Sequence, residues 1–302
     1  MEYSFPRYLL AKQAIDDRAI NRHVLEALRA NLPRTPLRVV EVGAGMGTML
    51  ARLLSWDVLE CARYVHVDSL AENIEFALEW LPAWATGAGF CVEREGERCL
   101  RLYNARQDVT VSLEQAEVQE YIRRQPEPAQ LLIAHAFLDL LPMPDSLDGL
   151  LSLTSDLAWL TLNFDGLTSL EPVLDPVLDE RIERLYHRTM DIRPTGGDSR
   201  SGRRLFGHLR LAGADVLAAG ASDWVVYARG GQYPPEEAYF LRFILHFIEE
   251  ALAGHPELDP TEFAGWLAAR RAQVDSGELV YIAHQMDFLA RRNALQAKHV
   301  AD

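Results

Sequence analysis

Apolar residues recur at helical spacing near the start of the chain. Leu9, Ala14, Ile20, Val24, Leu25 and Leu28 fall on one face between Tyr8 and Leu32, and Asn31, Pro33 and Pro36 then break the pattern. The spacing predicts an amphipathic helix, whole or in two pieces. From Leu37 to Val42 the residues are mainly apolar and β-branched over a stretch too short for such a helix, which predicts a strand buried on both faces. It ends in Gly43-Ala44-Gly45-Met46-Gly47, after which helical spacing returns to about Trp56. Tyr64–Val67 repeats the strand pattern, ends at Asp68, and leads into a helix from Ala71 to about Leu81, with Pro82 near its end. Strands alternating with helices in this way predict a parallel sheet.

Downstream, Phe90–Val92 and Leu100–Leu102 around the turn Glu95-Gly96-Glu97 suggest an inserted hairpin, with Val109–Leu113 returning to the sheet. Leu131–Ala134 and Leu157–Phe164 read as further strands, the second ending in the turn Asp165-Gly166, with a loop and a helix over Leu147–Leu153 between them. Asp175–Met190 reads as a helix, Arg193–Arg203 as a mobile loop rich in glycine, and Leu205–Ala212 as a helix. Asp215–Ala218 and Trp224–Ala228, separated by Gly220-Ala221-Ser222-Asp223, predict an antiparallel pair that closes the sheet. Everything after that reads as helix. Pro234-Pro235-Glu236-Glu237 starts one, Asp259-Pro260-Thr261-Glu262 forms a capping box, and Gly277 separates the last two. The expected fold is α/β: a mostly parallel sheet with a closing antiparallel hairpin, helices on both faces and helical cap segments. The expected division is an N-terminal helical segment 1–36, a core 37–231 with an inserted segment 173–202, and a C-terminal helical cap 232–302.

Composition narrows the partners. The chain of 302 residues is 49% hydrophobic and 25% charged, as in ordinary globular proteins, and its net charge of −14 repels polyphosphates, so nucleic acid is not expected as a partner. The short basic cluster Arg200, Arg203, Arg204 and Arg210 reads as a solvated face, with a substrate anion site as the alternative. Cys61, Cys91 and Cys99 have no metal-ligand spacing and cannot all pair, which suits free thiols in a reducing compartment, and no metal is expected. The first residues lack a signal-peptide pattern, and the apolar run Leu131–Leu141 is interrupted by His135 and Asp139. The expectation is a cytoplasmic protein with no membrane partner.

The glycine turn carries the chemistry. Glycines after a buried strand let backbone approach a ligand closely and aim the amides of the next helix at it, which implies a nucleotide-like ligand. A dinucleotide fingerprint calls for glycine at 43, 45 and 48, but Thr48 occupies the last place and Gly47 precedes it; a phosphate loop of the Gly-Lys-Ser/Thr kind needs a lysine that this region lacks. Glu41-Val42-Gly43-Ala44-Gly45-Met46-Gly47 resembles the class I, Rossmann-like S-adenosylmethionine-dependent methyltransferases, over roughly residues 37 to 229. The resemblance implies that S-adenosylmethionine is the cofactor, that Glu41, Gly43, Ala44, Gly45 and Gly47 cradle it, and that Asp68 accepts hydrogen bonds from both ribose hydroxyls, with Ser69 beside it. It also implies Glu117-Val118 as the adenine contact, with Gln115-Ala116 as an alternative, and puts His135 beside the sulfonium and Asp139 on the pocket rim. Arg18 is a candidate for the cofactor carboxylate, against a solvated helix charge.

Methyl transfer needs alignment and water exclusion more than an acid or base. If the nucleophile needs a base, His135, Asp139 and His187 are the candidates. The stripe Tyr239, Phe240, Phe243 and Phe247 is either cap packing or pocket lining, and so are Trp266, Tyr281, Met286 and Phe288. The expected partner is a small-molecule methyl acceptor, and packing of the terminal helices on a second copy as a homodimer stays open. Two other readings remain: an NAD-dependent oxidoreductase, and a non-catalytic binding or assembly module on the same scaffold. An antiparallel terminal strand inserted beside the fifth strand would favour the methyltransferase over the oxidoreductase.

Overall fold

The computed structural model describes residues 3–33, 36–194 and 196–293. Three short helices lead in: α1 (Phe5–Ala11), α2 (Gln13–Ala19) and α3 (Arg22–Asn31). The single N-terminal pattern is therefore broken at Lys12 and again at Ile20-Asn21, where the Asn21 side chain caps α3 by accepting from the Val24 amide at 3.1 Å. The core continues through β1 (Leu37–Val42), α4 (Thr48–Ser55), β2 (Cys61–Asp68) and α5 (Ala71–Gly87). The inserted hairpin β3 (Cys91–Gly96) and β4 (Cys99–Tyr103) pairs antiparallel onto β5 (Asp108–Gln115). Next come α6 (Val118–Arg123), β6 (Ala129–His135), α7 (Leu147–Ser152) and β7 (Thr154–Glu171). The last part holds α8 (Pro176–Asp191), α9 (Ser201–Leu211), β8 (Ala214–Ala221), β9 (Trp224–Val226), α10 (Pro235–Leu252), α11 (Pro260–Ser276) and β10 (Val280–Arg292).

Among the described residues these strands form one ten-stranded sheet of order β3-β4-β5-β2-β1-β6-β7-β10-β8, with β9 also on β10. β5, β2, β1, β6 and β7 are parallel. Ala62, Tyr64, Val39, Leu131, Leu157 and Trp159 belong to one buried layer, whereas Val40, Val42, Leu132, Ala134 and Leu160 belong to another, as a sheet covered on both faces requires.

The sheet closes antiparallel, but not by the expected hairpin. β8 and β9 do not pair with each other; they run end to end along β10, which itself lies antiparallel between β7 and β8. The Ser222 amide donates to the Gln285 carbonyl at 2.8 Å and carries the chain straight past the expected turn. Gly220 is there for close approach: a Cβ on it would lie 2.3 Å from Nδ2 of the Asn21 side chain, which donates to the Ala221 carbonyl at 2.8 Å. Val280–Arg292 is a strand where a last helix was expected, and among the described residues the helices of the C-terminal region are α10 and α11; the rest of the expected helix lies outside the described residues.

Two further expectations change. β7 does not stop at Asp165-Gly166; its register on β10 jumps from Phe164 to Thr168 and pairing resumes to Glu171, so these residues form a bulge. Val226 of β9 and Tyr281 and Ala283 of β10 share one buried cluster with α8, α10 and α11. Arg193–Arg203 is also more fastened than a mobile loop: Asp198, Ser199 and Ser201 are buried, and the Asp191 carboxylate accepts from the Ser199 amide at 2.7 Å. Within the basic cluster, Arg203 pairs with Asp165 and Arg204 with Asp198.

Candidate functional site

The site starts at the carboxyl end of β1, where the strand order reverses between β2 and β6, the position at which open α/β sheets leave a crevice. Gly43, Gly45 and Gly47 all have positive φ (62°, 56° and 84°), the left-handed region that disfavours side chains. A Cβ on Gly47 would also press on Leu81 at 2.9 Å, so this glycine serves the packing of α4 against α5. Asp68 braces the turn from the end of β2. Its Oδ2 accepts from the Gly45 amide at 2.8 Å, and its Oδ1 accepts from the Leu70 amide at 2.9 Å and the Asn73 side chain at 3.0 Å. Burial pushes the His66 imidazole down to about 4, so it is neutral, and its Nε2 donates to the Gly45 carbonyl at 3.0 Å.

Glu41 lies beneath the turn, 1% exposed. Burial pushes its carboxyl up to about 8 despite a 2.6 Å hydrogen bond donated by the Tyr64 hydroxyl and the nearby Arg52 charge. At neutral pH this group is mostly a neutral acid.

The first two helices supply a charged cluster that sequence reasoning missed. Asp16 is buried and accepts from Lys12 Nζ at 2.8 Å and from the Trp224 indole at 2.9 Å, and it meets His135 Nε2 at 3.2 Å. Burial acts to raise the Asp16 carboxyl, but Lys12, His135 and Arg52 outweigh it and hold it well below the usual carboxylate range. Burial keeps His135 neutral, at about 4. An ionised Asp16 only accepts, so the His135 proton sits on Nε2, and Nδ1 accepts from the Thr161 hydroxyl at 2.7 Å. Both ring nitrogens are therefore engaged within the protein.

A cavity of about 1030 Å³ opens over the turn and runs beneath the cap. Of the residues expected at the cofactor, Glu41, Gly43, Ala44, Gly45, Asp68 and Ser69 line it. Glu117 and Val118 line it too, joined by Ala116 but not by Gln115, and so do His135 and the half-buried Asp139. Burial raises the Asp139 carboxyl. Gly47 lies outside the lining. Arg18 also lies outside it, where it forms a 2.9 Å ion pair with the buried Glu237 of α10; the cation that α1 and α2 bring to the cavity is Lys12, at their junction. His187 stands behind the wall, its Nε2 3.0 Å from the Thr168 hydroxyl, and burial pushes it down to about 4. Of the aromatic stripe on α10, Phe247 reaches the cavity while Tyr239, Phe240 and Phe243 pack in the core; Tyr281 also lines the cavity, from β10. The sequence singled out neither Tyr8 nor Lys12 as a site residue; the packing of α1 and its junction with α2 brings both to the cavity.

Among the described residues no group of three or more potential ligands could hold a metal ion, and no helix is long and apolar enough to cross a membrane. No protein-family model matches the chain, and no curated protein matches it in sequence. Solved structures do. A proposed methyltransferase from Bacillus halodurans C-125 aligns with a TM-score of 0.51 at 11% identity, over 91% of this chain and 100% of that one. A SAM-dependent methyltransferase from Thiobacillus denitrificans, in complex with S-adenosyl-L-homocysteine, gives 0.48 at 14% identity, over 97% and 100%. A proposed sarcosine dimethylglycine methyltransferase from Galdieria sulphuraria gives 0.43 at 12%, over 97% and 92%. At these identities the likeness is one of fold.

Proposed function

We propose that this chain, which has the fold of the class I methyltransferases, binds S-adenosylmethionine over its glycine turn and delivers the methyl group to a small molecule held beneath the helical cap. The observation that carries the reading is that one continuous cavity is lined both by the glycine turn with Asp68 and by the apolar floor of the cap. Its volume reaches the upper end of the roughly 300–1,000 Å³ that small-molecule sites span, enough for two ligands side by side. The inserted antiparallel strand β10 beside β7 supports this reading over the oxidoreductase.

The residues present suit such a cofactor. Asn73 Oδ1 is buried without a partner among the described residues, next to Asp68, and is free to accept from a ribose hydroxyl. Asp68 retains acceptor capacity beyond its three internal bonds. Glu117 and Val118 start α6 at the adenine end, and Lys12 is the cation for the amino-acid carboxylate. When bound, the cofactor supplies an electrophilic methyl on a sulfonium. The chain's part is to align the acceptor and to exclude water, which the apolar floor and the overlying α1 and α10 serve. His135 acts as a positioning residue, because its nitrogens are committed to Asp16 and Thr161. Asp139, raised by burial and facing the cavity, is the group suited to accept a proton when the acceptor carries one.

Calorimetric titration with S-adenosylmethionine, S-adenosylhomocysteine and NAD tests the cofactor. Both adenosyl ligands are expected to bind, NAD is not, and Asp68→Asn, which keeps one acceptor for the turn, is expected to weaken both by about tenfold or more. Binding of NAD alone would move the chain to the oxidoreductases. Absence of any adenosyl binding would leave the non-catalytic module.

A further inference from the structure

The half of the cavity away from the glycine turn has an unusual polar feature. Tyr8 from α1, Tyr186 from α8 and Tyr281 from β10 all line it. Tyr8 is 7% exposed and Tyr281 4%, and Tyr186 is half-buried. The hydroxyls of Tyr64, Tyr103, Tyr233 and Tyr239 each bond a protein group. Those of Tyr8, Tyr186 and Tyr281 bond none among the described residues. The three are near enough that ionising one would raise the cost of ionising the others, and burial raises all of them, Tyr186 to about 12. They are protonated donors at any physiological pH.

Arg193, just past α8, lines the same cavity and has no ion-pair partner among the described residues. Its charge acts on both Tyr186 and Asp139. Lys12, the other cavity cation, is already held by Asp16. Phe164 and Phe247 are aromatic walls of the cavity, whose lining also holds the acceptor-bearing side chains of Asp139, Thr168, Gln285 and Glu250.

Three phenols and a guanidinium that have no partner among the described residues suit a ligand that accepts. A wholly apolar ligand would strand the phenols, at roughly 1–3 kcal/mol for each buried unpaired group. An ammonium brings only donors and would sit near Arg193 and Lys12. A carboxylate accepts at both oxygens and matches a guanidinium fork. We propose that this half of the cavity takes a flat apolar acid, its carboxylate held between Arg193 and Tyr186 with Tyr8 and Tyr281 beside them, and its ring body against Phe164 and Phe247. That this acid is the methyl acceptor rests on the function proposed above; that it binds does not.

Three isosteric probes decide it: 2-naphthoate, 2-naphthamide and 2-naphthylmethylammonium, titrated calorimetrically with and without S-adenosylhomocysteine. The carboxylate is expected to bind about tenfold tighter than the amide, and the ammonium weakest. Arg193→Gln and Tyr186→Phe are each expected to weaken naphthoate about tenfold while leaving naphthamide, the thermal midpoint and S-adenosylhomocysteine affinity near wild type. A preference for the ammonium, naphthoate affinity indifferent to both substitutions, or no binding by any probe would overturn the proposal. If naphthoate binds through Arg193 while S-adenosylhomocysteine does not bind at all, the acid site stands and the methyltransferase reading falls.

Discussion

Lys12 concentrates the residue-scale chemistry. It is a buried ammonium whose one ion-pair partner among the described residues is the buried Asp16, and it also faces the Trp224 ring, 5.7 Å away, and the cavity. An ammonium has three donors, so it can keep Asp16 and still bond a ligand carboxylate. Lys12→Met keeps the length of the stem and removes the charge. It is expected to weaken S-adenosylhomocysteine binding about tenfold or more, as a lost charge-assisted hydrogen bond does, while 5′-methylthioadenosine, which has no carboxylate, binds as to wild type. Equal losses for both ligands would mean that Lys12 merely supports the fold of α1. The sequence offered Arg18, two positions beyond Asp16, as a candidate because a guanidinium suits a carboxylate, against the reading of a solvated helix charge. It could not foresee that Glu237, from α10, would claim Arg18. Glu41, Gly43, Gly45 and Asp68 were legible because the strand, turn and following strand that position them are neighbours in sequence as well as in space.

Among the elements, β10 shows where legibility stopped. Its most buried positions include Tyr281, Ala283, Gln285 and Asp287, whereas Ile282, His284 and Met286 between them are less buried. Two polar residues thus occupy inward positions of a strand, and hydropathy alternation, the signal of a half-buried strand, is inverted there. Asp287 is inward for a reason. It is fully buried; its Oδ1 accepts from the Leu162 amide at 2.7 Å and its Oδ2 from the Asn21 amide at 2.8 Å. Leu162 has a φ of 54°, so Asp287 satisfies a backbone group that the irregular part of β7 leaves without a strand partner, and it fastens α3 to the sheet. Asp287→Ala strands two amides and is expected to cost on the order of 2–4 kcal/mol, read as a lower urea midpoint, with Asp287→Asn recovering about half of it. An alanine variant as stable as wild type would show that solvent replaces the carboxylate. The glycine at 220 misled for a related reason: in a sequence, a glycine for close approach to Asn21 looks the same as a glycine for a turn.

At the scale of the whole molecule, the buried titratable groups around the site set how stability follows pH. Burial pushes His66, His135 and His187 down to about 4. Between about 6.5 and 4 the unfolded chain binds protons at these residues that the folded chain refuses, so each removes stability as the pH falls through that window. Glu41 works in the opposite direction. Its folded value, about 8, lies above its unfolded value near 4.5, so the folded chain holds a proton that the unfolded chain has released, and stability declines as the pH rises between these limits. Burial also pushes Asp287 up to about 6, which offsets part of the histidine effect below that pH. Above about 7 the histidines are mostly neutral in both states and Glu41 dominates, at a slope of at most about 1.4 kcal/mol per pH unit. The stability maximum is therefore expected near pH 6.5, with a decline towards pH 8 that Glu41→Gln abolishes, because the amide mimics the protonated acid at every pH. Urea midpoints of both proteins at half-unit steps from pH 5.5 to 8.5 test this: curves that separate progressively above pH 6.5 are expected, and parallel curves would mean that Glu41 is ionised in the folded chain. An ionised Glu41 would give the cavity floor a negative charge beneath the glycine turn, a different electrostatic setting for the sulfonium and for the acid proposed beside it.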